Sequence, residues 1–359
     1  MALNLTSQEQ TARARSDLRM GAVVVLTKGD MAALVQSAEM VTPERFADLR
    51  RLGAPVLTIT RWRAETLRAR AYDGDVARLM VPGDLDCAWV RATADPAHDL
   101  TYPMKGPYQS ARDGNADIHR AAIDLCKAAH LLPAALVLMH KDALALGRQH
   151  GLTILDLDKV PTPETRLKEV SAAAVPLEVS NLGRVRVFRP ADGGEEHYLV
   201  EVGSPKRPGP VLARLHSACF TGDVIGSVKC DCGPQLHAAL AQIGSEGAGV
   251  LLYLNQEGRG IGLANKMRAY ALQEQGFDTV EANHRLGFED DERDFRIGAE
   301  MLKAAGITSV RLMTNNPAKI ARMQAHGVAV DERVPLKVGR RAENTDYLDT
   351  KAKKSGHLL

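Results

Sequence analysis

Between Leu157 and Leu177 the chain passes through DKVPTPETRLKEVSAAAVP, a polar, proline-bearing stretch with no apolar period. Such a run supports neither a buried strand nor an amphipathic helix, so it reads as a linker over 158–175. It divides the 359 residues into two halves, each of a size that one hydrophobic core ordinarily serves. Strand-like and helix-like segments alternate in both. The expectation is an α/β (α+β) protein of two domains, 1–157 and 176–359, each a mixed sheet flanked by helices.

In the first half the strand-like runs are GAVVVL, APVLTIT, AALVLM and LTILDL, with a helix over 115–130 where Ile118, Ala121, Ala122, Leu125 and Ala129 recur at helical spacing. The second half opens with GRVRVFR, HYLVEV and PVLARLH, broken by a turn-like ADGGEE. It continues with a helix over 234–245, a strand VLLYL, the loop NQEGRGIG and a helix from about 262 to 275 closed by Gly276. A strand SVRLM then runs into TNNPAKIARMQAHG, where Asn316 can cap a helix and Pro317 can take its first position. The closing GRRAENTDYLDTKAKKSGHLL is polar and reads as a solvated tail.

Charge excludes one class of partner. With 46 basic against 44 acidic residues the net charge is +2, so nothing calls for a nucleic acid, and any bound anion must be gripped locally. No stretch reaches the length of a membrane span and the N-terminus lacks the apolar core of a signal peptide, which predicts a cytoplasmic protein with no membrane partner. In a reducing compartment five cysteines do not suggest a disulfide framework.

Three of those cysteines crowd together. HSACFTGDVIGSVKCDCG places Cys219, Cys230 and Cys232 in the pattern C-x10-C-x-C, whereas Cys87 and Cys126 stand alone and read as small buried hydrophobes. Three thiolates suit zinc. A catalytic zinc keeps three protein ligands and leaves the fourth position to water; a closed structural site would recruit a fourth ligand, for which His216 is the candidate. Spacing leaves both open.

QEGRGIG sets Gly258, Gly260 and Gly262 around Arg259 between a strand and a helix start, an arrangement that aims backbone amides and a guanidinium at an anion. TNNPAK brings Thr314 and Lys319 to a second such junction, and Arg214 adds a third cation. These suffice for a polyphosphate, with Mg2+ balancing a triphosphate. GFEDDERDF gathers acidic residues around Arg293; it reads either as the acidic start of a helix or as a base beside a fixed cation.

RLHSACFTGD, KCDCGPQL, QEGRGIGL, KMRAYALQEQGFDTVEANHRLGF, DDERDF and LMTNNPAK, in this order and spacing, resemble the successive motifs of GTP cyclohydrolase II over about 174–359. The resemblance implies one catalytic zinc per chain on Cys219, Cys230 and Cys232, activating water toward C8 of GTP, with release of formate and pyrophosphate in the first step of riboflavin synthesis. It also implies Asp291 as proton acceptor, Arg293 acting on the α-phosphate, Tyr270 beside the reacting ring, and nucleotide contacts at Arg214, Gln235, Glu257, Gly258, Arg259, Thr279, Thr314 and Lys319. A guanidinium stays protonated, so the chemistry of Arg293 points to charge stabilisation as well as to the family's nucleophile. The family commonly forms dimers, which predicts a homodimer. Two alternatives remain: the same zinc chemistry on another nucleotide, or a non-catalytic nucleotide-binding protein with structural zinc. Retention of Tyr270, Asp291 and Arg293 speaks against the second.

Two positions depart from the motifs. Ala218 stands where the family has Glu in HSEC, and Asn255 where it often has Arg in RQEGR.

The first half is similar to 3,4-dihydroxy-2-butanone 4-phosphate synthase in ALVQSAEMVTPERF, RAAIDLCKAA and HGLTILDLDKV. Of that enzyme's acidic Mg2+-binding cluster, VVVLTKGDMAA keeps only Asp30, and its GHTEA motif is DIHRA here, with Ile118 and Arg120 in the His and Glu positions. A degenerate, non-catalytic domain is expected.

Overall fold

Residues 3–160 and 167–345, with Leu348, Asp349, Ala352, Lys353, Gly356 and Leu358, are described by a computed structural model. Most of YLDTKAKKSGHLL lies outside the described residues. The chain divides into two units, 1–162 with 264–292 and 163–263 with 293–359. Each is a mixed sheet flanked by helices.

In the first unit the strands are β1 (Val24–Lys28), β2 (Met31–Ser37), β3 (Val56–Thr60), β4 (Val76–Met80), β5 (Ala134–Met139) and β6 (Ile154–Asp156), in sheet order β4-β3-β5-β2-β1-β6. Helices α1 (Ser7–Arg19), α2 (Pro43–Leu52), α3 (Arg61–Thr66), α4 (Cys87–Ala94), α5 (Asp117–Ala128) and α6 (Ala143–Gln149) flank it. The apolar stripe of the predicted 115–130 helix does what its period requires. Ile118, Ala122, Leu125 and Cys126 of α5 are buried against Val24, Leu26, Val35 and Val137 of the sheet.

The second unit contains β7 (Leu167–Ala174), β8 (Gly183–Pro190), β9 (His197–Val202), β10 (Val211–Ser217), β11 (Gly249–Leu254), β12 (Ser309–Met313) and β13 (Ala329–Val334), with α7 (Cys232–Glu246), α10 (Arg296–Ala304) and α11 (Pro317–Ala325). Helices α8 (Leu263–Glu274) and α9 (Thr279–Leu286) lie between α7 and α10 in sequence. Sheet order is β13-β12-β10-β11-β9-β8-β7. Pairing is parallel from β13 to β11 and antiparallel from β11 to β7.

Period-two alternation splits β10 between two cores. Val211, Ala213 and Leu215 pack on the α10 side with Ala299 and Leu302, while Leu212 packs on the α7 side with Ala239 and Ile243. Arg214 and His216 therefore share the α7 face of the sheet. The other face is tight: a Cβ on Gly298 of α10 would stand 2.8 Å from Leu215 Cδ2, so this helix reaches the sheet only with glycine there.

Two expectations need correction. Residues 167–174 of the expected linker form β7, an edge strand paired with β8. Its residues are mostly exposed, so backbone pairing rather than burial holds it, and no apolar period marks it in the sequence. Residues 161–166 lie outside the described residues. The second domain is also not one contiguous block, because 264–292 joins the first unit. Trp62 stacks on His284 at 3.7 Å between ring centroids, Thr60 Oγ1 donates to the Gly287 carbonyl at 2.8 Å, and Arg268 pairs with Glu39 at 2.8 Å. These contacts are far apart in sequence, which local pattern cannot reveal.

Candidate metal and nucleotide site

Parallel strands β10, β11 and β12 all end on one edge of the second sheet, and each feeds a functional loop: Ser217 into the first cysteine, Leu254 into the glycine loop, Met313 into TNNPAK. Ligands of open α/β sheets bind outside these carboxyl ends, where backbone groups are released from the ladder.

Cys219 follows β10, and Cys232 opens α7, whose positive end favours a thiolate. The sulfurs of Cys219, Cys230 and Cys232 lie within 4.8 Å of one another, with 3.7 Å between Cys219 and Cys230. Zinc–thiolate bonds of about 2.3 Å put tetrahedral sulfurs about 3.8 Å apart, so the spacing fits that ion. The donor set is soft, and none of the three is in a disulfide. Gly222 closes the cradle: a Cβ there would lie 2.8 Å from Cys230 Sγ and 3.2 Å from Cys219 Sγ. Its N–H points at Cys219 Sγ from 3.4 Å. Hydrogen bonding to Cys219 raises the Cys230 thiol pKa.

Among the described residues this ligand group stops at three. His216, the candidate fourth ligand, turns Nε2 to the Asp223 carboxylate at 3.0 Å. Burial lowers the pKa of His216 and so favours its neutral form. Cys87 and Cys126 are buried, and burial pushes the Cys126 thiol up to about 12.

Cations gather along the same edge. Arg214 is buried and donates Nη1 to the Met313 carbonyl at 3.0 Å and Nη2 to Gln235 Oε1, while its Nε has no hydrogen-bond partner among the described residues. Burial brings its pKa down to about 10, which leaves it a cation at neutral pH. Lys319 Nζ reaches the Leu215 carbonyl at 3.1 Å, and Arg293 Nη1 reaches Ser217 Oγ at 3.2 Å. Arg293, Lys319 and Arg322 all face the Phe295 ring, at 5.0, 5.8 and 4.6 Å from its centroid. Three like charges around one ring raise the local positive potential.

The loops are shaped accordingly. Gly258, Arg259 and Gly260 all have positive φ; for Arg259, at +63°, that conformation is costly and marks an imposed geometry. Glu257 accepts the Phe220 N–H at 2.6 Å, tying the glycine loop to the cysteine loop. Thr314 is buried, and Asn316 caps α11 through the Ala318 N–H with Pro317 at its start, as the sequence predicts.

A family model for GTP cyclohydrolase II matches residues 168–335. GTP cyclohydrolase-2 of Azospirillum brasilense is 42% identical over 359 residues, covering 97% of this chain and 93% of that protein. The chain belongs to the GTP cyclohydrolase II family. It is an enzyme of that family, and the riboflavin biosynthesis protein RibBA of Bacillus cereus (strain AH187) is 37% identical over 96% of this chain and 98% of its own length. A crystal structure of RibBX, a two-domain 3,4-dihydroxy-2-butanone 4-phosphate synthase from A. baumannii, aligns over 90% of this chain and 99% of its own at 16% identity, with a TM-score of 0.33.

Of the cyclohydrolase motif residues, Arg214, Gln235, Glu257, Gly258, Arg259, Arg293, Thr314 and Lys319 belong to the second unit with the cysteines. Tyr270, Thr279 and Asp291 belong to the first. Tyr270 lies on α8, its ring 5.7 Å from Lys266 Nζ, and Thr279 Oγ1 accepts from Gln273 Nε2 at 3.1 Å. Within the acidic run the helix start falls to Asp294: α10 begins at Arg296, whose N–H Asp294 takes at 2.9 Å. Glu292 instead pairs with Lys127 at 2.6 Å, and Asp290 with His284 at 2.9 Å.

Sequence reasoning missed Asp223, Tyr253 and Arg322. For Asp223 alone a faint signal exists in HSACFTGD, whose terminal Asp trails the cysteine by about one helical turn.

Proposed function

We propose that the chain hydrolytically opens the guanine imidazole ring of GTP, releasing formate and pyrophosphate and leaving a diaminopyrimidine phosphoribosylamine, the entry step of riboflavin synthesis. The observation that carries this reading is the convergence of a three-sulfur cradle and the cations Arg214, Arg293 and Lys319 on one carboxyl edge of the sheet. Zinc held by Cys219, Cys230 and Cys232, one per chain, would supply a water acidified toward neutrality. A ligand group of three among the described residues would favour a catalytic over a structural role. Arg293, Lys319 and Arg322 hold the phosphates together with Mg2+, and the unpartnered Arg214 Nε is a buried donor suited to an anionic ligand. Asp291 takes up a proton, and Tyr270 borders the reacting ring. Formate measured after incubation with GTP, Zn2+ and Mg2+ tests the reading. No formate from GTP, with hydrolysis of another nucleotide, would replace it by a paralogue with altered specificity.

The departures at Ala218 and Asn255 fit an unchanged substrate. Ser217 and Leu254 are the last register partners of β10 and β11, so positions 218 and 255 are the next neighbours across the parallel pair. A Glu and an Arg there would face each other as an ion pair, and losing both leaves no unpaired charge. Asn255 instead donates Nδ2 to the Glu196 carbonyl and its backbone N–H to His197 Nδ1 at 3.0 Å. Burial holds His197 down to about 4, which keeps that acceptor neutral. Turnover of GTP by Ala218→Glu and Asn255→Arg is expected to fall several-fold in each single variant and to recover in the pair. A several-fold gain from Ala218→Glu alone would show instead that the position reads the nucleotide.

The first unit is assigned no synthase activity. Where that enzyme has a Glu, Arg120 pairs with Asp75 at 2.9 Å, and Asp117 pairs with Lys28 at 2.7 Å. A cavity of about 380 Å³ beside Arg120 is lined by Asp75, Asp124 and Glu289 together with Arg61 and Lys127, so its carboxylates share it with cations, Asp75 being paired to Arg120. Enediolate chemistry needs carboxylates free to hold a hard cation. The full chain with ribulose 5-phosphate and Mg2+ is expected to yield no dihydroxybutanone phosphate. Mg2+-dependent product would refute this.

A further inference from the structure

Asp223 accepts from three donors beside the cysteines, and no role in the proposed chemistry has fallen to it. Its side chain is 3% exposed. It takes the backbone N–H of Cys219 at 3.0 Å, His216 Nε2 at 3.0 Å and Tyr253 Oη at 2.9 Å. The three donors come from different elements: Cys219 from the ligand loop, His216 from β10 and Tyr253 from β11. One carboxylate thus joins the loop that carries the first sulfur to two adjacent strands. The rings stack as well, His216 on Tyr253 with centroids 5.6 Å apart.

The segment after β10 is a single helical turn, Phe220–Val224, closed by the Asp223 N–H on the Cys219 carbonyl at 2.7 Å, with Thr221 and Gly222 buried. Phe220, Val224 and Ile225, next in sequence, are exposed, so burial of their side chains does not hold this segment. Polar contacts tie this turn to its surroundings: the Asp223 carboxylate to β10 and β11, the Glu257 bond to the Phe220 N–H, and the Gly222 N–H on the sulfur itself. A buried carboxylate with three donors is rigid, since moving it strands each donor in turn.

We propose that Asp223 is a positioning residue for the metal, fixing Cys219 against β10 and β11 so that its sulfur is held at ligand distance from Cys230 before the ion arrives. This rests on the zinc reading above. Asp223 touches neither the substrate nor the ion; it acts through the Cys219 backbone, with His216 and Tyr253 as its anchors. Groups that orient ligands in this way typically govern metal affinity by about ten- to a hundredfold.

The test uses the full chain and two variants, with zinc and cobalt as probes. Asp223→Asn keeps volume and one oxygen for the Cys219 N–H, but sets an amide NH2 against His216; Asp223→Ala removes every acceptor. Chelator competition is expected to show zinc dissociation constants rising in the order wild type, Asn, Ala, with the Ala variant weaker by about tenfold or more. The Co2+-substituted variants should show altered visible ligand-field bands, a readout independent of turnover. If Asp223 served the fold alone, melting temperature would fall while zinc affinity per folded chain and the cobalt spectrum stayed as in wild type, and that result overturns the proposal. Should the Ala variant not fold, unchanged affinity and spectrum in the Asn variant overturn it equally. Wild-type protein that holds no zinc removes the zinc reading and this one together; wild type that holds zinc with indifferent variants removes only this one.

Discussion

The Cys230→Ser, Cys232→Ser double variant is expected to contain no zinc and to release no formate from GTP above background, whereas the wild-type chain carries about one zinc. A hydroxyl is not ionised near neutral pH and is a hard, neutral donor, so the substitution removes two of three thiolates from a site suited to a soft set. Structural zinc in small peptides is held by roughly 10–16 kcal/mol, and one remaining thiolate retains only a fraction of such binding. Without the metal, the reacting water would lose its acidification toward neutrality, leaving little nucleophile at neutral pH. The variant should still fold, because the sheet core of Val211, Leu215, Val250, Leu252 and Leu302 does not involve the cysteine loop. Metal analysis of the purified chain decides the point: a normal zinc content in the double variant would refute the assignment of these ligands.

Why the cysteines were legible and Asp223 was not is a matter of residue type. Three thiols in fourteen residues are rare in a chain without disulfides, so their spacing alone carries information. Aspartate is common, and an Asp four residues after a Cys looks like any turn acidic residue until His216 and Tyr253 are seen to converge on it. The Asn316-Pro317 helix start and the glycine loop were legible for the same reason as the cysteines: capping and positive φ demand particular residues. Strand β7 was not, because an exposed edge strand is held by backbone hydrogen bonds to which any side chain is compatible. Nor was the membership of 264–292 in the first unit. It depends on pairs such as Arg268 with Glu39 and Trp62 with His284, more than two hundred residues apart in sequence.

Arg293→Ala and Asp291→Ala are expected to keep the fold and the zinc but to lose most GTP turnover. Arg293 sits two residues from Phe295, its guanidinium 5.0 Å from that ring and its Nη1 bonded to Ser217 at the end of β10. In that place it is a fixed cation beside Lys319 and Arg322 rather than a surface charge free to wander. A preorganised donor aimed at charge that develops in the transition state is worth about 10²–10³ in kcat, roughly 2.7–4 kcal/mol, so a loss of this size is expected for Arg293→Ala. For Asp291→Ala the loss of a positioned proton acceptor should cost about 10²–10⁴. The competing account makes the acidic run a helix start, with an effect of about 1 kcal/mol on stability and none on rate. The geometry gives that duty to another residue. Helix α10 begins at Arg296, and Asp294, not Asp291, takes its first N–H and pairs with its guanidinium at 2.8 Å. Asp294→Ala should therefore lower the melting temperature, and Asp291→Ala should lower the rate. Steady-state kinetics beside thermal melts of all three variants separate the two effects, and unchanged kcat in both Arg293→Ala and Asp291→Ala would return the acidic run to a structural role.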